Sequence, residues 1–251
     1  MPVKSNPLVS RFGPASPPPL KQRIIGASFG APGTGKTHFW LTAPGPIVVQ
    51  SLDKGHEGVA LEEYNKKDIH VLEYDWQPTD ELDQDETILI RDKFIEDFQY
   101  AIAHARTVIW DKETDVWSLF RYAEFGAPND NPRNYDALNQ RYRKYINMPK
   151  ALDINFGLIQ GMKTLWRVKT KSDGRSGLSK TDEQERSGFG ELEGLVHVNI
   201  QHRRQDGQFH LDVGKSRGPG ASDIQDKSFP GLTFSELAQL VFPETSEDDW
   251  S

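Results

Sequence analysis

The sequence predicts an α/β fold: a mostly parallel sheet flanked by helices, with an antiparallel hairpin near its C-terminal end. Three observations predict it. Short apolar runs of strand length alternate with segments whose apolar residues recur at helical spacing. A glycine-rich turn, "GAPGTG", joins one such run to the start of a helix. Late in the chain, the alternating runs "VHVNIQH" and "QFHLDV" flank "RRQDG" and read as a hairpin. A length of 251 residues suits one domain, expected over 21–243.

The elements follow in order. Residues 1–20, rich in Pro and Ser and without apolar period, read as a flexible arm. Ile24 to Phe29 is an apolar run of the kind a buried parallel strand supplies. After the glycine turn, "KTHFWLT" starts a helix, and Pro44-Gly45-Pro46 turns the chain into a second strand ending near Asp53. Asp68 to Tyr74 is a third strand, followed by the acidic loop "PTDELDQDET". Ile90, Phe94, Ile95, Phe98, Ala101 and Ile102 share one helical face. Thr107 to Asp111, "TVIWD", is a fourth strand. Tyr135, Leu138, Tyr142, Tyr145 and Ile146 mark another amphipathic helix, and their aromatic stripe is expected in the core. Ile154 to Gln160 is a fifth strand. The polar stretch from Lys163 to about Gly190 reads as a mobile basic loop. After the hairpin, Thr233 and Glu236 stand at capping-box spacing and open a short helix. Residues 244–251 read as an acidic tail.

The chemistry concentrates in the glycine turn. Gly30 to Thr37 spells G-x-x-x-x-G-K-T between a strand and a helix. Gly30, Ala31, Pro32, Gly33, Thr34 and Gly35 would turn backbone N–H groups onto phosphate oxygens, with Lys36, Thr37 and His38 opening the helix. Lys36 would reach the β- and γ-phosphates, and the Thr37 hydroxyl would bind Mg²⁺. Asp111, at the carboxyl end of its strand, is the expected second group on the metal side. Asp53 and Glu57 are the acids expected to orient an attacking water, and Gln160 ends a strand where its amide could sense the γ-phosphate. Lys215 and Arg217, two apart in "GKSRG", project to the same side of an extended segment and could reach a neighbouring subunit's phosphates.

Composition narrows the partners. A net charge of −7 argues against a surface that coats nucleic acid generally. Between Lys163 and Lys180, however, six cations stand against one acid, Asp173. Lys163, Arg167, Lys169, Lys171 and Arg175 could track a phosphate backbone while Trp166 stacks on a base. Cysteine is absent, which excludes disulfides and thiolate metal sites. No run of 18 apolar residues occurs, so no membrane association is expected and a cytoplasmic protein is.

Cradle, second-strand carboxylate, apolar strand ending in Asp, polar strand end and K-x-R-x-G hairpin occur in the order found in RecA-like P-loop ATPases. The chain resembles that superfamily over about Gln22 to Phe242. More narrowly it resembles phage-encoded nucleotide-binding proteins of the AAA class, including the Sak-four group of single-strand annealing proteins. The resemblance implies ATP with Mg²⁺ and single-stranded DNA in phage recombination or replication, with a single-strand-binding protein as a candidate partner. It also implies a K-x-R pair acting in trans within a ring or filament, and a DNA-binding loop after Gln160. Lys112 follows Asp111 where that superfamily usually has Ser. A nucleotide-switched assembly or loader ATPase without DNA remains the alternative, and no motif reads ATP against GTP.

Overall fold

The computed structural model of the chain describes residues 21–53, 66–78, 83–126, 135–170 and 176–250. The expected arm over 1–20 lies outside them, as do Glu57, Lys171 and Arg175. In chain order, β1 (Ile25–Phe29) leads to α1 (Lys36–Leu41), β2 (Ile47–Ser51), β3 (Ile69–Glu73) and α2 (Gln84–His104). Then come β4 (Thr107–Asp111), α3 (Glu113–Phe125), α4 (Asp136–Asn147) and β5 (Asn155–Gln160). A hairpin of β6 (Met162–Thr170) and β7 (Ser176–Arg186) follows, then α5 (Leu192–Leu195), β8 (Val198–Gln205) and β9 (Gln208–Ser216). The chain closes with α6 (Ala221–Ile224), β10 (Lys227–Pro230) and α7 (Phe234–Val241).

The main sheet has the order β10-β9-β8-β1-β5-β4-β2-β3. From β8 to β3 every pair is parallel, and only β9 and β10 run antiparallel. The fold class expected from the sequence is therefore present at the level of an α/β, mostly parallel sheet between helices. One detail differs: the first strand of the late hairpin, β8, pairs parallel with β1 rather than standing outside the parallel sheet.

Strand parity sorts side chains onto two faces. Ile25, Ala27, Val108, Trp110, Phe156 and Leu158 pack with Phe94, Phe98, Val116, Phe120 and Tyr142 of α2, α3 and α4. Ile24, Ile109, Ile159, Val198 and Ile200 pack with Trp40 of α1 and with Phe234, Leu237 and Val241 of α7. Buried on both sides, these strands read as continuous apolar runs.

Trp40 fixes α1 to the sheet. Gly26 and Gly157 are direct partners on β1 and β5, and their bare backbones make a floor for the indole. A Cβ on Gly157 would lie 2.5 Å from Trp40 Cδ2, and one on Gly26 would lie 3.1 Å from Cζ2. Trp40 Nε1 donates to Ser28 Oγ at 2.9 Å, and the same hydroxyl shares a hydrogen bond of 3.0 Å with His202 Nε2 on β8.

Four segments depart from the sequence reading. The stretch expected as a basic loop is a two-stranded hairpin, β6–β7, in which Lys163 pairs in register with Glu185. Opposite charges across a ladder stabilise such a pairing, and the acids lie on the return strand. Helix α3 was not foreseen, although Val116, Leu119, Phe120 and Ala123 are buried at helical spacing. The acidic stretch expected as a loop is helical from Gln84, where Asp83 caps α2 by accepting from Asp85 N at 2.8 Å, and its residues 79–82 lie outside the described residues. The acidic tail is docked: Trp250 is 2 % exposed and stacks on Phe242 with centroids 5.7 Å apart. Among the described residues no helix is long and apolar enough to cross a membrane.

Two expectations test this dock. Gly157→Ala should destabilise the fold by about 1–3 kcal/mol through overpacking against the indole. Gly190→Ala, where an added Cβ meets nothing within 4 Å, is the matched control. Urea unfolding of both variants separates them. Burial, reinforced by the Lys36 charge, holds the His202 imidazole down to about 3, against 6.5 when unfolded. The unfolded chain therefore binds the extra proton between these values, and stability falls as pH drops from about 6.5 toward 3. The slope is about 1.4 kcal/mol per pH unit. In His202→Gln that contribution should vanish from the measured acid limb.

Candidate functional site

The carboxyl ends of the parallel strands converge on one crevice. β1 delivers the loop Gly30–Gly35, β2 delivers Asp53, β4 delivers Asp111, and β5 delivers Gln160. The chain crosses from β5, on one side of β1, to β8 on the other, and a crevice opens where strand order reverses in this way. A cavity of about 350 Å³ lies there, lined among others by Gly30, Pro32, Gly33, Lys36, Thr37, Asp53, Asp111 and Gln160.

The loop is built to turn tightly into α1. Gly35 caps the helix in the left-handed region at φ 86°, and the first helical bond runs from Phe39 N to the Gly35 carbonyl at 2.9 Å. The first helical N–H groups consequently have no acceptor within the helix. Thr34 Oγ1 donates to the Ala31 carbonyl at 2.8 Å, bracing the loop. Lys36 Nζ reaches back to the carbonyls of Gly30 (2.9 Å) and Ala31 (2.8 Å).

β4 parity turns Asp111 to the α1 face, the face of Ile109. There Thr37 Oγ1 stands 3.4 Å from Asp111 Oδ1 and 3.3 Å from Oδ2. These separations are longer than an ordinary O–H···O bond of about 2.7 Å. Burial pushes the Asp111 carboxyl up to about 6, and the Asp53 charge adds to the rise. Thr37, Lys36 and Lys112 act in the other direction. Burial lowers the Lys36 ammonium, partly offset by Asp111 and Asp53. Lys112 Nζ lies 3.5 Å from Asp53 Oδ2 and 2.8 Å from Asp115 Oδ2, so it spans two acids beside the cavity.

Behind Gln160, which lines the cavity, lies a carboxylate that the sequence reading missed. Gln160, 1 % exposed, donates Nε2 to Glu113 Oε2 at 2.8 Å, while its buried Oε1 has no hydrogen-bond partner. Glu113 is fully buried and accepts from Tyr142 Oη at 2.7 Å. Burial pushes it up to about 7 despite these donors. Gly188, where the chain leaves β7, passes so close that a Cβ would lie 2.3 Å from Glu113 Oε2. Gly161 N donates to Thr114 Oγ1 at 2.9 Å, and Ser187 N donates to the Gly161 carbonyl at 2.9 Å. Both legs of the β6–β7 hairpin are thus rooted on the wall of the cavity. The available signal was a second acid two residues after Asp111; at the start of a helix it reads as an ordinary first-turn carboxylate.

The remaining candidates lie elsewhere. His38 is exposed and does not line the Asp111 cavity. On the hairpin, Trp166 and Val168 are 59 % and 67 % exposed. Lys163 pairs with Glu185 at 3.1 Å and Arg167 with Glu183 at 2.5 Å, so part of the expected cationic surface is neutralised. Lys169 lies on β6 opposite Gly177. Lys215 Nζ donates to the Glu193 carbonyl (3.4 Å) and Arg217 Nη2 to the Gly194 carbonyl (3.2 Å). That is the end of the sheet opposite the cradle, since Arg217 N bonds His197 O and His197 N bonds Ile25 O.

Glu113→Ala would leave the Tyr142 hydroxyl and the Gln160 amide without their buried acceptor. We expect a loss of about 2–3 kcal/mol in urea unfolding, with Glu113→Gln, which still offers one acceptor, losing less. No protein-family model matches the chain, and no curated protein matches it in sequence.

Proposed function

We propose that the protein is a RecA-like P-loop ATPase that binds ATP with Mg²⁺ in the Gly30–Thr37 cradle and hydrolyses it, acting with single-stranded DNA in phage recombination or replication. One observation carries the reading: Thr37 of the G-x-x-x-x-G-K-T turn and Asp111, 74 residues apart, meet within 3.3 Å on the wall of a cavity that also holds Lys36. Sequence proximity cannot create that meeting.

The donor set fits a hard divalent cation, because a hydroxyl and a carboxylate oxygen converge where burial disfavours the carboxylate's own charge. Thr37 and Asp111 would hold Mg²⁺, which supplies positive charge that offsets the phosphate oxygens. Lys36 exchanges the Gly30 and Ala31 carbonyls for phosphate oxygens, a stronger charge-assisted pairing. Asp53 accepts a hydrogen bond from the attacking water, and Gln160, held by Glu113, lines the same cavity.

Trp166, exposed on a hairpin rooted at Gln160, supports the DNA partner, since an aromatic face offers a base a stacking platform. The paired acids Glu183 and Glu185 favour the second reading, an assembly or loader ATPase whose hairpin meets protein rather than DNA. Hydrolysis rates with and without single-stranded DNA decide between them. Stimulation by DNA supports the first, and stimulation by a protein partner alone supports the second.

Lys36→Ala should reduce turnover to background, because it removes the cation that meets the phosphates. Asp111→Asn should lose Mg²⁺-dependent turnover while retaining nucleotide binding. Steady-state phosphate release across a Mg²⁺ titration checks both; wild-type curves in either variant would remove the assignment.

A further inference from the structure

The loop Gly30–His38 is a partition between two cavities. Gly33, Lys36 and Thr37 face the larger one, whereas Thr34, Gly35, His38 and Phe39 face a second of about 140 Å³. The two share no lining residue. The second is a slot walled by Phe39 on α1, Phe209 and Leu211 on β9, and Leu232 ahead of α7. Phe209 is 44 % exposed, an unusual position for a large apolar ring. It lies directly on the cradle: a Cβ on Gly35 would be 3.3 Å from Phe209 Cδ1. The Arg204 guanidinium stands 5.5 Å from the centroid of the same ring.

The polar groups around the slot are already engaged. Thr34 Oγ1 donates to the Ala31 carbonyl (2.8 Å), and Thr42 Oγ1 donates to the Phe39 carbonyl (2.7 Å) while accepting from Phe234 N (2.9 Å). Thr233 Oγ1 is bound to Glu236 Oε2 at 2.9 Å within a capping box. His202 Nε2 is bound to Ser28 Oγ at 3.0 Å. What the slot offers is apolar surface and an aromatic face, with His38 exposed at one side.

We infer that this slot receives the base of the nucleotide whose phosphates occupy the cradle, and that it selects a flat ring by stacking on Phe209 rather than by hydrogen bonds to the base edge. The inference rests on the proposed nucleotide reading and extends it to substrate choice. A ligand held by Lys36 and Thr37 must extend beyond the loop, and the adjoining apolar cavity lies just across it. Stacking strength grows with ring area, so purine nucleotides bind more tightly than pyrimidine nucleotides. Adenine and guanine differ at their edges, which engaged hydroxyls read poorly, so ATP and GTP bind alike.

Calorimetric titration of the full chain with Mg²⁺ tests this, using ATP, GTP, CTP and inorganic tripolyphosphate as ligands. We expect ATP and GTP to bind within about threefold of each other, and both more tightly than CTP or tripolyphosphate. Phe209→Ala should weaken ATP and GTP roughly tenfold, the scale of a lost base–aromatic stack, and leave tripolyphosphate unchanged. Phe209→Tyr, which keeps the ring, should restore purine affinity. ATP binding no tighter than tripolyphosphate overturns the slot and leaves the cradle standing. So does CTP binding as tightly as ATP, wild-type ATP affinity in Phe209→Ala, or failure of Phe209→Tyr to restore it. A tenfold or greater gap between ATP and GTP overturns the stacking mode. Loss of tripolyphosphate along with ATP in Phe209→Ala would make the ring a support of the loop, which also overturns the base role. A wild-type chain that binds neither ATP nor tripolyphosphate removes the cradle reading and the slot together.

Discussion

The packing of Trp40 on the backbones of Gly26 and Gly157 is the constraint on which the rest of the site depends. An indole can lie this close only where two partnered strands both lack a Cβ. Its ring nitrogen bonds Ser28, and Ser28 bonds His202, so one residue ties α1 to β1 and β8 at once. Phe234 of α7 packs on the same indole with centroids 5.5 Å apart. With the helix held this way, Thr37 faces Asp111 and the next two residues, His38 and Phe39, face the smaller slot. The cradle's geometry is set less by the glycine loop alone than by the tryptophan one turn behind it.

Strand parity then divides the chemistry between the two faces of the sheet. Asp111 follows Ile109 onto the α1 face, whereas Gln160 follows Phe156 and Leu158 onto the face of α3 and α4. Glu113, just past the end of β4, meets Gln160 there and accepts from Tyr142. The two acids sit two residues apart in sequence but meet different partners. Burial raises both above the usual carboxylate range, to about 6 and about 7. Asp111 has Lys36 and Lys112 near it, and Glu113 is met mainly by neutral donors, with the Arg186 charge a minor influence. This contrast suits Asp111 to a cation and Glu113 to holding an amide in place.

Much of this was legible in the sequence, for physical reasons. Strands buried on both faces must be apolar throughout, so β1 and β4 were readable almost to the residue, and with β4 the position of Asp111 at its end. The capping box of Thr233 and Glu236 was readable because its two residues bond each other locally. What was not legible depends on pairing at a distance. The β6–β7 hairpin looked like a loop because Lys163 and Arg167 lie on one strand and their partners Glu185 and Glu183 on the other, so a window over the first strand sees unpaired charge. Glu113 was not singled out because its donors come from residues 29 and 47 positions away. Trp250 looked like part of a solvated tail because its acidic neighbours hide the single ring that anchors it against Phe242 and Phe234.

The direction of β8 also decides what Lys215 and Arg217 can reach. Because β8 runs parallel to β1, the antiparallel β9 must end level with the start of β1, and Arg217 bonds back to His197 at that level. Gly30 follows the other end of β1, five residues further, which is about 17 Å of extended strand. A fully extended arginine side chain does not cover that span along a packed sheet. The same end gathers Arg23 and Lys150: burial chiefly, then Arg217 and Arg23, hold the Lys150 ammonium down. His197 among them is held down to about 4, first by burial and then by the charges of Arg23 and Lys150. These cations therefore gather at the strand starts, at the opposite end of the sheet from the chain's own glycine loop. Under the proposed nucleotide reading, an in-trans role for Lys215 and Arg217 would need a contact that brings one sheet's strand starts to the next sheet's strand ends.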